Sequence, residues 1–155
     1  MEAPDEIAAI AAVAANLPTP DASSCPQQGH TSRVMLVNGT EDPINPYQGG
    51  VVSIFGFAAR GTVLSSEASA RAFAERNGIT ASPVATPMPR GQPDDPTSVV
   101  NLTWSSSEGK PISRLYTVHG GGHVIPQQVF RFRRLLGRTT TALNASSEAM
   151  RFFET

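Results

Sequence analysis

Leu115-Tyr116-Thr117-Val118-His119-Gly120-Gly121-Gly122-His123-Val124-Ile125-Pro126 joins a short apolar run to three glycines and a histidine. The run reads as a buried strand, and the glycines permit a sharp turn with positive φ, so a strand-end loop presenting the His123 imidazole is expected. Upstream, Arg33-Val34-Met35-Leu36-Val37-Asn38 reads as a second strand that breaks at Gly39-Thr40-Glu41-Asp42-Pro43-Ile44-Asn45-Pro46-Tyr47. That leaves a carboxylate at a strand end too. Functional groups in an open α/β sheet gather beyond the carboxyl ends of parallel strands. Asp42 and His123 are therefore expected at one rim of one sheet. There the aspartate would hold the histidine in a single tautomer, as the acid and base of an acyl-transfer triad do.

Working outward, Val99 to Trp104 and Ser113 to Val118 read as strands joined by the polar loop Ser105 to Pro111. A short loop makes the two antiparallel, so one of them alone can run parallel to the Arg33 strand. It must be the later one if His123 is to reach Asp42. Ile7 to Ala15 is apolar at every position, which suits a strand buried on both faces or a buried helix; alanine propensity favours the helix, while its length and the stop at Asn16-Leu17-Pro18 favour the strand. Ser65 is placed to cap a helix that runs through about Asn77 and ends at Gly78. Pro126 fits the first turn of a helix through about Leu136, with Val129, Phe130, Leu135 and Leu136 inside and Arg131, Arg133 and Arg134 solvated. Asn144 opens a last helix whose Ala149, Met150, Phe152 and Phe153 form an apolar side. Gln48 to Gly61 reads as a covering loop or short helix near the site mouth. Thr19 to Ser32, containing His30, reads as loop, and Ala81 to Pro96 as proline-rich connection. The expected fold class is α/β, a mostly parallel sheet with an antiparallel edge strand and flanking helices.

The 155 residues suffice for one domain, and 39% hydrophobic content with a formal charge of −1 describes an ordinary globular chain. There is no basic excess to recruit nucleic acid or an anionic membrane, so neither partner is expected. The 13 prolines and 13 glycines are spread along the chain rather than gathered in a linker. Cys25 is the single cysteine, which excludes an internal disulfide and a thiolate zinc site. No cofactor is expected. Two histidines at i,i+4, His119 and His123, have metal-ligand spacing, but the three glycines between them oppose the helix that would align them. His119 is expected to be packed or to support the loop. No apolar run reaches the length of a membrane span, and the first residues lack a positively charged n-region.

The two loops, Asn38 to Gly50 and Tyr116 to Pro126, resemble the α/β-hydrolase family of polyhydroxybutyrate depolymerases and feruloyl esterases. The likeness runs over nearly the whole chain, and both motifs come in the family's order. It implies an ester substrate, Asp42 as triad acid, His123 as general base, and Gly120, Gly121 and Gly122 as the turn that presents the histidine. The chain departs from many relatives in having Ile125, rather than tryptophan, two places after the histidine.

A larger departure is that no Gly-x-Ser-x-Gly, the elbow that carries the serine in such enzymes, occurs in the sequence. The resemblance therefore implies a single partial domain over residues 1–155, the carboxyl-terminal half of the fold, starting just after the elbow helix. Ser53, Ser65, Ser66 and Ser105 to Ser107 are available hydroxyls, yet none sits at a glycine-flanked strand-to-helix turn, and the nucleophile stays unassigned. Without the preceding strands the first strand's edge would be open, inviting association with a second copy or another chain. Two functions compete: the acid- and base-bearing part of a carboxylic-ester hydrolase, and an inactive remnant that serves as a self-associating or partner-binding module.

Overall fold

The computed structural model describes residues 6–23, 32–54, 56–57, 59–130 and 134–155. In chain order the elements are β1 (Ala9–Val13), β2 (Arg33–Gly39), β3 (Gly50–Val51), β4 (Thr62–Val63), α1 (Ser66–Arg76), β5 (Val84–Pro87), β6 (Ser98–Ser105), β7 (Pro111–His119) and α2 (Ala145–Glu154). Five strands form one mixed sheet in the order β1-β2-β7-β6-β5, and β3 pairs with β4 in a separate two-stranded ribbon. β1 and β7 both pair with β2 in parallel, whereas β6 runs antiparallel to β7 and to β5. The chain is thus an α/β protein, and β2 and β7 lie side by side pointing the same way.

The period-2 alternation of a strand explains how both faces become buried. Val34 and Leu36 of β2, with Leu115 of β7, meet Ala70, Phe73 and Ala74 of α1 and Trp104. Met35 and Val37, with Tyr116 and Val118, meet Ala145 and Phe152 of α2 on the other face. Ser65 caps α1 by accepting from the Ala68 amide at 3.1 Å, and Gly78 leaves the helix at φ +78°. Asn144 caps α2 through Ser147 in the same way. At the far end of α2 the Arg33 guanidinium lies 4.9 Å from the Phe152 ring centroid and donates to the Thr155 hydroxyl at 3.0 Å. No described helix is long and apolar enough to cross a membrane.

Several expectations are corrected. The antiparallel strand is not at the edge: β6 is interior, and the edge is β5, inside the stretch read as proline-rich connection. Proline is tolerated at an edge because an outward-facing position needs no amide donor, and Pro87 is itself part of β5. The helix expected over 126–136 is absent from its described part. Residues 126–130 are irregular and Arg134–Leu136 forms one 3-10 turn, while Arg131 to Arg133 and the side chain of Arg134 lie outside the described residues. Gln48 to Gly61 forms no helix among its described residues: it is largely loop, with only Gly50–Val51 as strand β3, which pairs with β4 just beyond the stretch, and with Phe55 and Ala58 outside the description. In α2, Phe152 and Ala145 are buried and Ala149 packs against them, but Met150 and Phe153 face solvent. Cys25 and His30 lie outside the described residues.

The connection after β5 carries a polar clasp. Asp95 Oδ1 accepts from the Thr97 amide and hydroxyl at 2.9 and 2.6 Å, and Oδ2 from the Thr141 amide and hydroxyl at 2.5 and 2.7 Å. Burial pushes this carboxyl up, but the hydrogen bonds from Thr141 and Thr97 outweigh it and bring it down to about 2. A carboxylate lowered in the folded state stabilises fully above its unfolded value, about 3.9, and loses that contribution as pH falls through the folded one. Asp95→Ala is expected to cost about 2 kcal/mol above roughly pH 5, with the gap to the parent closing between about pH 4 and pH 2. Urea unfolding at stepped pH reads this; a gap independent of pH across that window would refute the clasp.

Candidate active site

Parallel pairing brings the ends of β2 and β7 level, with Gly39 opposite Val118. The two chains that leave this rim are laced together by backbone and side chain. The Thr40 amide donates to Val118 O at 3.0 Å, the Glu41 amide to Gly121 O at 2.9 Å, and the Gly120 amide to Thr40 Oγ1 at 2.9 Å. The loop's far side is held in turn: the Gly122 amide donates to Arg138 O at 3.0 Å and the His123 amide to Leu136 O at 2.6 Å. An Arg138–Glu41 ion pair at 3.0 Å joins the same segments, but both side chains are exposed and it adds little.

This lacing changes the reading of the three glycines. Gly120 alone among them turns with positive φ, +74°. Gly121 and Gly122 are needed for close approach instead. A Cβ on Gly121 would lie 2.5 Å from Val118 Cγ1, and one on Gly122 would lie 2.0 Å from Leu136 O and 2.4 Å from Gly137 Cα. From the β2 side, a Cβ on Gly39 would meet Gly121 O at 2.2 Å. The turn that presents His123 is therefore a sandwich of backbones with no room for side chains.

Within this frame Asp42 and His123 come together. Asp42 Oδ1 accepts from the Ile44 and Asn45 amides, both at 2.8 Å, and Oδ2 lies 2.9 Å from His123 Nδ1. The aspartate side chain is 1% exposed and the histidine side chain 32%. A carboxylate oxygen accepts, so Nδ1 carries the proton and the lone pair is left on Nε2. The Asp42 loop is anchored by residues that the sequence reading passed over. The Tyr47 hydroxyl bonds Thr117 Oγ1 at 2.7 Å, and Tyr47 O accepts from the Ser66 amide at 2.8 Å, tying the loop to β7 and α1. Burial pushes the Tyr47 phenol up against the opposing effect of that hydrogen bond. Asn38, buried at the end of β2, accepts from the Ala15 amide at 3.2 Å and donates to Ser66 Oγ at 3.0 Å, so that it links the exit of β1 to the start of α1. A polar residue closing an apolar strand was the available signal for Asn38; nothing local marks Tyr47.

Nε2 makes no hydrogen bond to any described residue. Ser65 and Ser66 are committed to the α1 cap and to Asn38, and Ser105 to Ser107 sit at the β6–β7 turn, the opposite end of β7 from His123. Ser53 lies next to the ribbon, its amide bonded to Ile44 O at 3.2 Å. His119, expected to be packed or to support the loop, is the exposed last residue of β7. Among the described residues no group of three or more His, Cys, Asp and Glu side chains is disposed to hold a metal ion. Beside Asp42, the Asn45 side-chain Nδ2 is buried with no partner among the described residues.

No protein-family model matches the chain, and no curated protein matches it.

Proposed function

We propose that this chain supplies the general base, His123, and its orienting acid, Asp42, for hydrolysis of carboxylic esters by acyl transfer. The observation that carries the reading is the 2.9 Å contact between Asp42 Oδ2 and His123 Nδ1, made by a buried carboxylate whose other oxygen is fully occupied. Such a pair leaves Nε2 free to take a hydroxyl proton and stabilises the imidazolium that results. Acid and base on the loops that follow adjacent parallel strands, with a helix on either face of the sheet, also suit the carboxyl-terminal half of a hydrolase of the polyhydroxybutyrate depolymerase and feruloyl esterase type. In this reading the serine comes from a segment outside these 155 residues, since the sequence contains no Gly-x-Ser-x-Gly.

Purified chain assayed with p-nitrophenyl butyrate tests the reading. In the absence of a serine, Nε2 attacks the ester carbonyl, p-nitrophenolate leaves, and water releases butyrate from the acyl-imidazole and restores the histidine. The expected result is slow release above buffer that His123→Ala removes. Release indifferent to that substitution would assign the chemistry elsewhere.

A second reading, a module that binds through its sheet edge, is favoured by β1. Its five residues are half-buried on both faces, although no described strand pairs with its outer side. It has no charge and no proline, the devices that keep edges apart, whereas β5 at the opposite edge ends in Pro87. Light scattering is expected to return a dimer or larger species. A monodisperse monomer at high concentration would remove this reading.

A further inference from the structure

A cavity of about 660 Å³ opens between the segment that follows β5 and the first turns of α2. This size is within the range that takes a small organic molecule. Met88, one of its lining residues, follows β5, which runs in the same direction as β2 and β7, so the cavity lies toward the rim that carries Asp42 and His123. Gln128 lines it, five positions after His123 in sequence, and Ala145 donates its amide to Pro126 O at 3.0 Å, fastening the histidine loop to the start of α2.

The charges that line the cavity do not cancel. Glu148 is committed through both oxygens, one accepting from the Tyr116 hydroxyl at 2.6 Å and the other paired with Arg151. The Tyr116 phenol, pushed up to about 12 by burial and by Glu148, remains a donor in this bond at any working pH. Glu148 and Arg151 thus neutralise each other. Arg90 is left as a lining cation without an ion pair or hydrogen bond to any described residue. Several uncharged polar groups of the lining can donate as well. Asn144 spends its Oδ1 on the Ser147 amide at 3.0 Å, which leaves its NH₂ group to donate, and the Gln128 amide and Ser147 hydroxyl line the same space. Met88, Pro89 and Ala142 supply an apolar wall.

We propose that this cavity binds a small organic carboxylate, its head on Arg90 and the neighbouring donors and its carbon chain on the Met88 wall. A guanidinium recognises a planar carboxylate through paired N–H donors, and the wall accepts a few methylenes. The site stands on its own residues and does not depend on hydrolysis at His123.

The test is titration of the ¹⁵N-labelled chain with sodium butyrate and, separately, with butyramide, the uncharged analogue. Butyrate is expected to move the amide signals of Gly91, Asn144 and Ser147 saturably, with butyramide at least about tenfold weaker, one lost charge-assisted contact. Arg90→Gln should weaken butyrate by a similar factor while leaving butyramide unchanged. Arg90 is exposed, so the variant's remaining spectrum should overlay that of the parent. His123→Ala should bind butyrate normally, which separates this site from the proposed base. Equal binding of the two probes, shifts confined to residues elsewhere, or indifference to Arg90→Gln would each overturn the proposal.

Discussion

Asp42→Asn is expected to abolish histidine-dependent ester cleavage while leaving the fold intact, and the geometry dictates why. Asp42 Oδ1 receives two backbone amides, from Ile44 and Asn45, at 2.8 Å each. An asparagine must put its carbonyl oxygen there, because an NH₂ group would face two donors. Its NH₂ is then forced toward His123 and donates to Nδ1, where Oδ2 used to accept at 2.9 Å. Nδ1 becomes the acceptor, the proton moves to Nε2, and the nitrogen that should act as base or nucleophile has lost its lone pair.

The loss in rate should be at least about a hundredfold, toward the value for His123→Ala, because the wrong tautomer disables the imidazole as completely as its removal. Stability should change by less than about 1 kcal/mol, since every hydrogen bond at position 42 is kept and only the one to His123 exchanges donor and acceptor. NMR of ¹⁵N-labelled histidine reads the tautomer without reference to activity. The parent should show its protonated nitrogen at Nδ1 and the variant at Nε2. An unchanged tautomer, or a rate that survives it, would mean that Asp42 serves the loop and not the chemistry.

The meeting of Asp42 and His123 could be read in advance because it depends on two strong local signals. Val34 to Val37 and Leu115 to Val118 are apolar runs that end in breakers; the hairpin before Pro111 sets the second only against β6, and its parallel direction beside the first follows from requiring His123 to reach Asp42. The caps Ser65 and Asn144 were legible for the same reason: a short polar side chain before an apolar stripe has a local partner. What escaped was decided by distant backbone. Val84 to Pro87 has a proline in it and prolines on both sides, and only the neighbouring β6 makes it a strand. Residues 126 to 136 have helix-like apolar spacing. Instead, Leu136 O is drawn back to accept the His123 amide and Pro126 O to accept the Ala145 amide. Tertiary hydrogen bonds there outweigh a propensity worth a few tenths of a kcal/mol per residue. Tyr47 is the clearest example at the site, since its partner Thr117 lies 70 positions away.

The glycines lead to the second large expected effect, because sequence alone does not separate a glycine chosen for its φ from one chosen for its lack of bulk. Gly109 and Gly122 are the two cases. Gly109 turns at φ +81° with nothing within 4 Å of a Cβ, so Gly109→Ala should cost only the left-handed strain, about 1 kcal/mol. Gly122 is not among the positive-φ glycines, yet its Cβ would lie 2.0 Å from Leu136 O and 2.4 Å from Gly137 Cα. These are backbone atoms without a rotamer to swing away. Gly122→Ala must therefore push the 136–138 segment off the histidine loop, at risk of the hydrogen bonds from the Gly122 amide to Arg138 and from the His123 amide to Leu136. Overpacking with loss of two such bonds is expected to cost about 3 kcal/mol or more. The cost falls on the loop that positions His123, so the variant should also lose the Asp42 contact and with it the Nδ1–H signal, which Gly109→Ala should keep. Denaturant unfolding of the two variants, with histidine NMR on each, compares them directly. If Gly122→Ala were no more costly than Gly109→Ala, the close backbone crossing beneath His123 would not exist as described, and the rigid support for the base would have to be sought in other contacts.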